Sequence, residues 1–261
     1  MIHEVIDQMG SPVSFSFPPK RIISLVPSQT ELLFDLGLEK EVIGITKFCV
    51  HPPNWQREKY TIGGTKNIKV GEIIKLDPDL IIGNKEENAK ERIETLKEKY
   101  PVWMSDIKSF DDATDMIGRV GEITNAGSAA RKINNDIQHR FGKITRVKGS
   151  ALYLIWKKPW MAAGRDTFIN SMLEMIGLTN VVTSQRYPEI TTGAISDSGA
   201  DFIFLSSEPY PFKEKDIAEV KSLSMKSKVL LVDGQMFSWY GSRLKLTPAY
   251  LDKLDLSHES C

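Results

Sequence analysis

The sequence predicts an α/β protein of two lobes, each built on a mostly parallel central sheet, joined by one long backbone helix. Three observations carry that prediction. Apolar runs of strand length alternate with amphipathic stretches of helical period. The same order of elements is written twice. Between the two copies roughly 30 residues keep a helical period without proline. The expected boundaries are 1–110 for the N-terminal lobe, 111–144 for the inter-lobe helix and 145–261 for the C-terminal lobe. The 261 residues are 41% hydrophobic and 26% charged, ordinary composition for one large or two small globular domains and unlike a disordered or fibrous chain.

In the first copy, Arg21-Ile22-Ile23-Ser24-Leu25-Val26 reads as a buried strand. Ser28-x-x-Glu31 then reads as a capping box, with Leu32, Leu33 and Leu36 as the apolar stripe of the helix it opens. Gly37 ends that helix, and Val42-Ile43-Gly44-Ile45 returns as strand. A short helix at 73–76 runs through Asp77-Pro78-Asp79 into a strand at 80–82, and Val102-Trp103-Met104 closes the set.

The second copy opens with a strand at 151–156. Its helix runs from about Asp166 to Ile176, stops at Gly177 as the first stops at Gly37, and leads to Val181-Val182. A short helix near Ala194 leads into Phe202-Ile203-Phe204-Leu205, and Val229-Leu230-Leu231-Val232 closes the set. Near-continuous apolar strands of this kind belong to parallel sheets covered on both faces. Between the copies Ala113, Met116, Ile117, Val120, Ile123, Ala130, Ile133, Ile137 and Phe141 recur at threes and fours, as one long helix would require. Gly118, Gly121 and Gly127 offer the alternative of two packed helices.

Several functions are disfavoured. Thirty-four Lys and Arg balance thirty-four Asp and Glu, so no net positive field gathers nucleic acid or an anionic bilayer. No apolar run approaches the roughly 20 residues of a membrane span. The first seven residues lack the basic and apolar regions of a secretory signal, which leaves open a chain without its leader and a cytoplasmic one. Cys49 and Cys261 are too few for a disulfide framework. His3, His51, His139 and His258 are far apart, with no HxH or HExxH, so no metal site is expected; only His51, beside Cys49, falls in a candidate ligand loop. GxSxG, P-loop and GxGxxG signatures are missing, no catalytic residue is assigned, and Gly63-Gly64-Thr65-Lys66 lacks Walker spacing.

Ligands of open α/β sheets bind beyond the carboxyl ends of the strands. The first such loop is Pro27-Ser28-Gln29-Thr30-Glu31, the second-lobe counterpart Ala162-Ala163-Gly164-Arg165-Asp166-Thr167. Each puts a helix N-terminus with free N–H groups at the candidate cleft. Aromatic residues crowd the same loops: Trp55, Trp156, Trp160, Tyr187, Trp239 and Tyr240, with Trp156 at the very end of a predicted strand and only Trp103 of the five tryptophans in the interior of one. A large flat ligand accounts for that distribution, because ring faces bury area at low entropic cost.

These residues resemble the helical-backbone class (class III) of substrate-binding proteins of ABC importers, the group that includes the periplasmic cobalamin-binding protein and ferric-siderophore and haem receptors. The resemblance runs over about residues 12 to 256. It rests on the stretch 19–31, on Val42-Ile43-Gly44-Ile45-Thr46 followed by Pro52-Pro53, on Ile62-Gly63-Gly64, on Glu72-Ile73-Ile74-x-Leu76-x-Pro78-Asp79-Leu80-Ile81, and on 170–180. It implies a non-enzymatic receptor whose two lobes clamp a metal chelate, cobalamin first and ferric siderophore or haem second, with no intrinsic cofactor. The ligand-binding set it implies, together with the loop reading, is Ser28, Gln29, Thr30, His51, Trp55, Lys66, Trp156, Trp160, Met161, Tyr187, Trp239, Tyr240 and Arg243. Lys66 stands where the cobalamin binders are expected to carry an aromatic. Glu72 falls where the family places a carboxylate that pairs with permease arginines. In the second lobe Gly193 occupies that neighbourhood, with Glu189 and Glu208 as nearby substitutes. The resemblance further implies a monomer that docks on a membrane ABC permease and is periplasmic or membrane-anchored outside the cytoplasm. Two alternatives stay open: a cytoplasmic cofactor-binding relative, and a chelate-processing enzyme using His51, Cys49 or Glu189 as acid-base groups.

Overall fold

The computed structural model describes residues 1–257; His258 and Cys261, noted above, lie outside the described residues. The chain divides into two compact units. The first holds Met1–Ile107, Asp111–His139 and Tyr240–Lys245; the second holds Lys108–Phe110, Arg140–Trp239 and the chain from Leu246 onward. Among the described residues no helix is long and apolar enough to cross a membrane.

The first unit begins with an antiparallel hairpin that the sequence reading did not anticipate, β1 (Ile2–Ile6) with β2 (Pro12–Ser16). Its alternation turns Val13 and Phe15 inward and Ser14 and Ser16 outward. The chain continues through β3 (Ile22–Ser24), α1 (Pro27–Asp35), β4 (Val42–Ile45), α2 (Trp55–Glu58), β5 (Tyr60–Thr61), α3 (Val70–Leu76), β6 (Leu80–Asn84), α4 (Lys90–Lys97) and β7 (Val102–Ser105). The sheet has the order β5-β4-β3-β6-β7 and is parallel throughout. Helices on a parallel sheet leave its central strands no wet face, and β3, β6 and β7 are buried from end to end. Ile22, Ile23, Leu32, Leu33, Ile81 and Ile82 are wholly inaccessible, each worth about 1.5–3 kcal/mol of apolar burial.

The capping box expected at Ser28 does not form. Val26 is the N-cap of α1 and makes no side-chain capping bond, while Pro27 takes the first helical position, where its missing N–H costs nothing. Glu31 is thereby freed for a different partner.

The single inter-lobe helix is also corrected: the stretch folds as two helices, α5 (Phe110–Ile123) and α6 (Gly127–Phe141). Asn125 adopts a left-handed φ of 60°, and Ala126 N donates to Gly121 O at 2.7 Å. The helices then turn back on each other, with Asn134 Nδ2 donating to Thr114 O at 2.8 Å.

The second unit contains β8 (Gly149–Trp156), β9 (Trp160–Ala162), α7 (Phe168–Met175), β10 (Leu178–Asn180), β11 (Glu189–Ile190), α8 (Thr192–Ser196), β12 (Phe202–Ser206), α9 (Glu214–Leu223), β13 (Lys228–Val232), α10 (Gln235–Ser238) and α11 (Thr247–Leu251). Strand β8 is central, parallel to β12 and β10 and antiparallel to β9; β13 and β11 form the outer path of the order β11-β9-β8-β12-β13. The chain enters β10 directly after Gly177, ahead of Val181-Val182, with Leu178 as the residue that buries. Thr167 caps α7, its Oγ1 accepting from Asn170 N at 3.2 Å. Leu152, Leu154, Ile195, Ile203, Leu205 and Val220 form the core of this unit.

Candidate ligand-binding site

In the first unit the strand-to-helix loops share one edge of the parallel sheet. The side chains of Gln29 and Thr30 are spent inside that edge. Thr30 Oγ1 donates to Ser24 Oγ at 2.7 Å and lies 3.0 Å from Cys49 Sγ. Gln29 Nε2 donates to Ser105 Oγ at 2.7 Å, and both residues are wholly buried. The opening turn of α1 is therefore closed off, Ser28 itself being only 4% exposed. Burial pushes the Cys49 thiol up from its ordinary 9.0, outweighing the hydrogen bonds from Thr30 and Thr46.

The loop after β4 carries two apolar side chains outward, Phe48 at 50% and Val50 at 38% exposure. Lys47 Nζ sits 4.9 Å from the centre of the Phe48 ring. The ring lies against Gly64, where an added Cβ would come 3.1 Å from it. Phe48 was not among the residues the sequence singled out; its signal was an aromatic three positions beyond a strand, next to Cys49 and His51. His51 is half-buried before Pro52. Trp55, by contrast, is 1% exposed, packed edge-on against Phe34 at 5.6 Å with Lys59 over its ring. It supports the loop from beneath. Lys66 is exposed, and its Nζ donates to the Glu86 carbonyl.

The return segment of the first unit, Tyr240–Lys245, places Tyr240 at 6% exposure. Arg243 meets Glu31 through both arms of its fork, Nε to Oε2 at 2.7 Å and Nη2 to Oε1 at 2.8 Å. Glu72 is exposed on α3 and pairs with Lys75 at 2.9 Å. The two line a groove of about 190 Å³ with Tyr60, Thr61 and Leu76.

The second unit gathers an aromatic row beyond β8. Trp156, 38% exposed, meets Tyr210 edge-on at 5.6 Å. Tyr210 meets Phe212 at 4.7 Å, and Phe212 stacks on Trp160 at 6.1 Å with the planes 8° apart. Lys157 Nζ stands 5.6 Å from the Trp160 ring. Tyr210 and Phe212 were missed because a cluster built by a later loop leaves no local pattern. Trp239 Nε1 donates to Glu208 Oε1 at 2.9 Å, and Ser238 Oγ donates to the same oxygen at 2.7 Å. Met161 and Glu189 sit opposite each other across β9 and β11, and Tyr187 has the Arg186 guanidinium 5.8 Å from its ring. Arg165, Asn170, Glu174, Leu178, Thr179 and Asn180 line a separate polar groove of about 330 Å³ that includes none of the aromatic candidates. Among the described residues no three His, Cys, Asp or Glu side chains converge as a metal set.

Residues 22–228 match the Periplasmic binding protein family. The chain is similar, at 28% identity over 214 residues, to the uncharacterized ABC transporter substrate-binding lipoprotein YvrC of Bacillus subtilis, covering 76% of this chain and 67% of that one. It is 23% identical over 197 residues to the Vitamin B12-binding protein of Vibrio parahaemolyticus, covering 72% and 71%. The solved structure of the petrobactin-binding protein YclQ from Bacillus subtilis shares the fold with a TM-score of 0.82 at 15% identity, over 97% of this chain and 100% of that one. The chain belongs to the periplasmic binding protein family. Its fold is the class III fold of two-domain periplasmic binding proteins.

Proposed function

We propose that this protein captures cobalamin outside the cytoplasm and delivers it to an ABC permease. The observation that carries the reading is an exposed aromatic face at the ligand edge of each unit: Phe48 in the first and Trp156, backed by Tyr210, in the second. A corrin ring offers the broad flat surface that such faces bury at low entropic cost, and the cargo brings its own metal. The start of α1 at Ser28, against which Gly241 packs, backs the first side. Trp160, Met161, Tyr187 and Trp239 complete the second. Likeness to a vitamin B12-binding protein over most of the chain supports the choice of cargo. Glu72 on the exposed flank of α3 and Glu189 at the start of β11 are the carboxylates we assign to permease docking, where they would steer association more than they tighten it.

One observation favours a second cargo. Lys47, an exposed residue, sets its ammonium over the Phe48 ring, a charge that suits the acid groups of a ferric siderophore or haem. Titration of intrinsic tryptophan fluorescence with cyanocobalamin, with haemin and a ferric siderophore in parallel, separates the readings. Saturable quenching by cyanocobalamin is expected; silence up to high micromolar cyanocobalamin with a response to either other ligand would replace it.

A further inference from the structure

The six residues Tyr240–Lys245 pack as part of the first unit, although the chain on either side, up to Trp239 and from Leu246, belongs to the second. Two ion pairs hold them there. Arg243 grips Glu31 bidentately at 2.7 and 2.8 Å, with side chains only 8% and 15% exposed. Lys245 Nζ reaches Asp35 Oδ2 at 2.9 Å. Glu31 and Asp35 are one helical turn apart and so stand on one face of α1. Ser242 and Leu244 are wholly buried beside the pairs. Gly241, at φ +114°, lets the segment come down on the opening turn of α1: an added Cβ would sit 3.0 Å from Ser28 O.

We infer that Glu31 and Arg243 are positioning residues for the ligand wall of the first unit, and that Arg243 is not itself a ligand contact. The inference rests on the function proposed above. Both arms of the guanidinium are committed to one nearly buried carboxylate, and a ligand acid that took Arg243 would leave Glu31 desolvated and unpaired, which a buried pair resists. What the pair does instead is hold Gly241 against the Ser28 carbonyl, so that the start of α1 and the return segment stay one preorganised wall.

A double-mutant cycle tests this, with cyanocobalamin as the probe, well below each variant's melting temperature. Glu31→Gln and Arg243→Gln are each expected to weaken binding by about tenfold, and the double variant by no more than the worse single one. Arg243→Lys, which keeps the charge and loses the fork, is the milder variant should the others fold poorly, and should fall between. Single variants that melt lower yet bind within about twofold of the parent overturn the inference. So does loss confined to Arg243→Gln, with Glu31→Gln unaffected, because that marks a direct contact. If the unaltered protein ignores cyanocobalamin, the proposed cargo fails and hydrogen exchange decides the positioning role. Amides of Tyr240–Lys245 should then exchange at least about tenfold faster in Glu31→Gln while those of β13 stay as they were; unchanged exchange in the segment overturns it.

Discussion

Gly121 approaches Ala130 so closely that a Cβ on the glycine would lie 2.3 Å from the alanine Cβ. That contact is what converts a stretch of unbroken helical period into two helices folded against each other. Gly121→Val is expected to cost about 1–3 kcal/mol through overpacking. Gly118→Ala, whose new methyl would find its nearest neighbour at 3.9 Å, should be neutral or gain up to about 1 kcal/mol of helix propensity. Urea denaturation of both variants checks the pair; equal effects would mean that the approach is not what shapes the corner.

Lys157 bridges Asp216 at 2.7 Å and Glu219 at 2.6 Å, and Asp216 also accepts from Lys213 N at the start of α9. Burial alone would raise the Asp216 carboxyl, but the hydrogen bonds from Lys157 and Lys213 and the nearby ammonium charges together hold it below its ordinary 3.8. The same bonds, from Asp216 first and then Glu219, raise Lys157 above 10.5. A depressed carboxylate stabilises fully above its unfolded value and loses that contribution as pH falls through the folded one; a raised amine stabilises fully below its unfolded value and loses it as pH rises through the folded one. Asp216→Asn should therefore cost about 3 kcal/mol near neutrality. The gap from the parent should close below about pH 4, a trend readable from melting temperatures across pH.

Cys49 is sealed between Thr30 and Thr46, 3.0 and 3.2 Å from their hydroxyls, with its thiol pushed up by burial. In a Cys261→Ser background the native protein should leave a thiol reagent unreacted, and unfolding should release one equivalent. Stoichiometric labelling of the folded protein would show the loop after β4 to be open on the timescale of the assay.

Glu208 Oε1 receives both Ser238 Oγ and Trp239 Nε1. Removing that acceptor by Glu208→Ala should cost about 1–3 kcal/mol, since hydrogen bonds to a charged group are among the stronger ones, and should shift the Trp239 emission. An unchanged emission spectrum would indicate that the carboxylate does not set the indole's surroundings.

The strands and most helices were legible because each was a local pattern: apolar runs at 22–24, 80–82, 102–104, 151–156 and 202–205, punctuated by Gly37 and Gly177. What escaped depended on partners distant in sequence. The period of the central stretch holds equally for one helix and for two that pack on the same side, and only the Gly121–Ala130 approach distinguishes them. Ser28 and Glu31 have the spacing of a capping box, but Arg243, 212 positions away, claims the glutamate. Trp55 looked like a loop aromatic until Phe34 and Lys59 closed over it, whereas Phe48, an aromatic just beyond β4, stands exposed.

Calorimetric titration of the parent, Phe48→Ala and Trp156→Ala proteins with cyanocobalamin tests the central claim most directly. One equivalent should bind the parent, and each substitution should weaken it by about tenfold, the loss of roughly one stacked face. Heat that is absent for the parent, or identical in all three proteins, would contradict capture by the two aromatic edges.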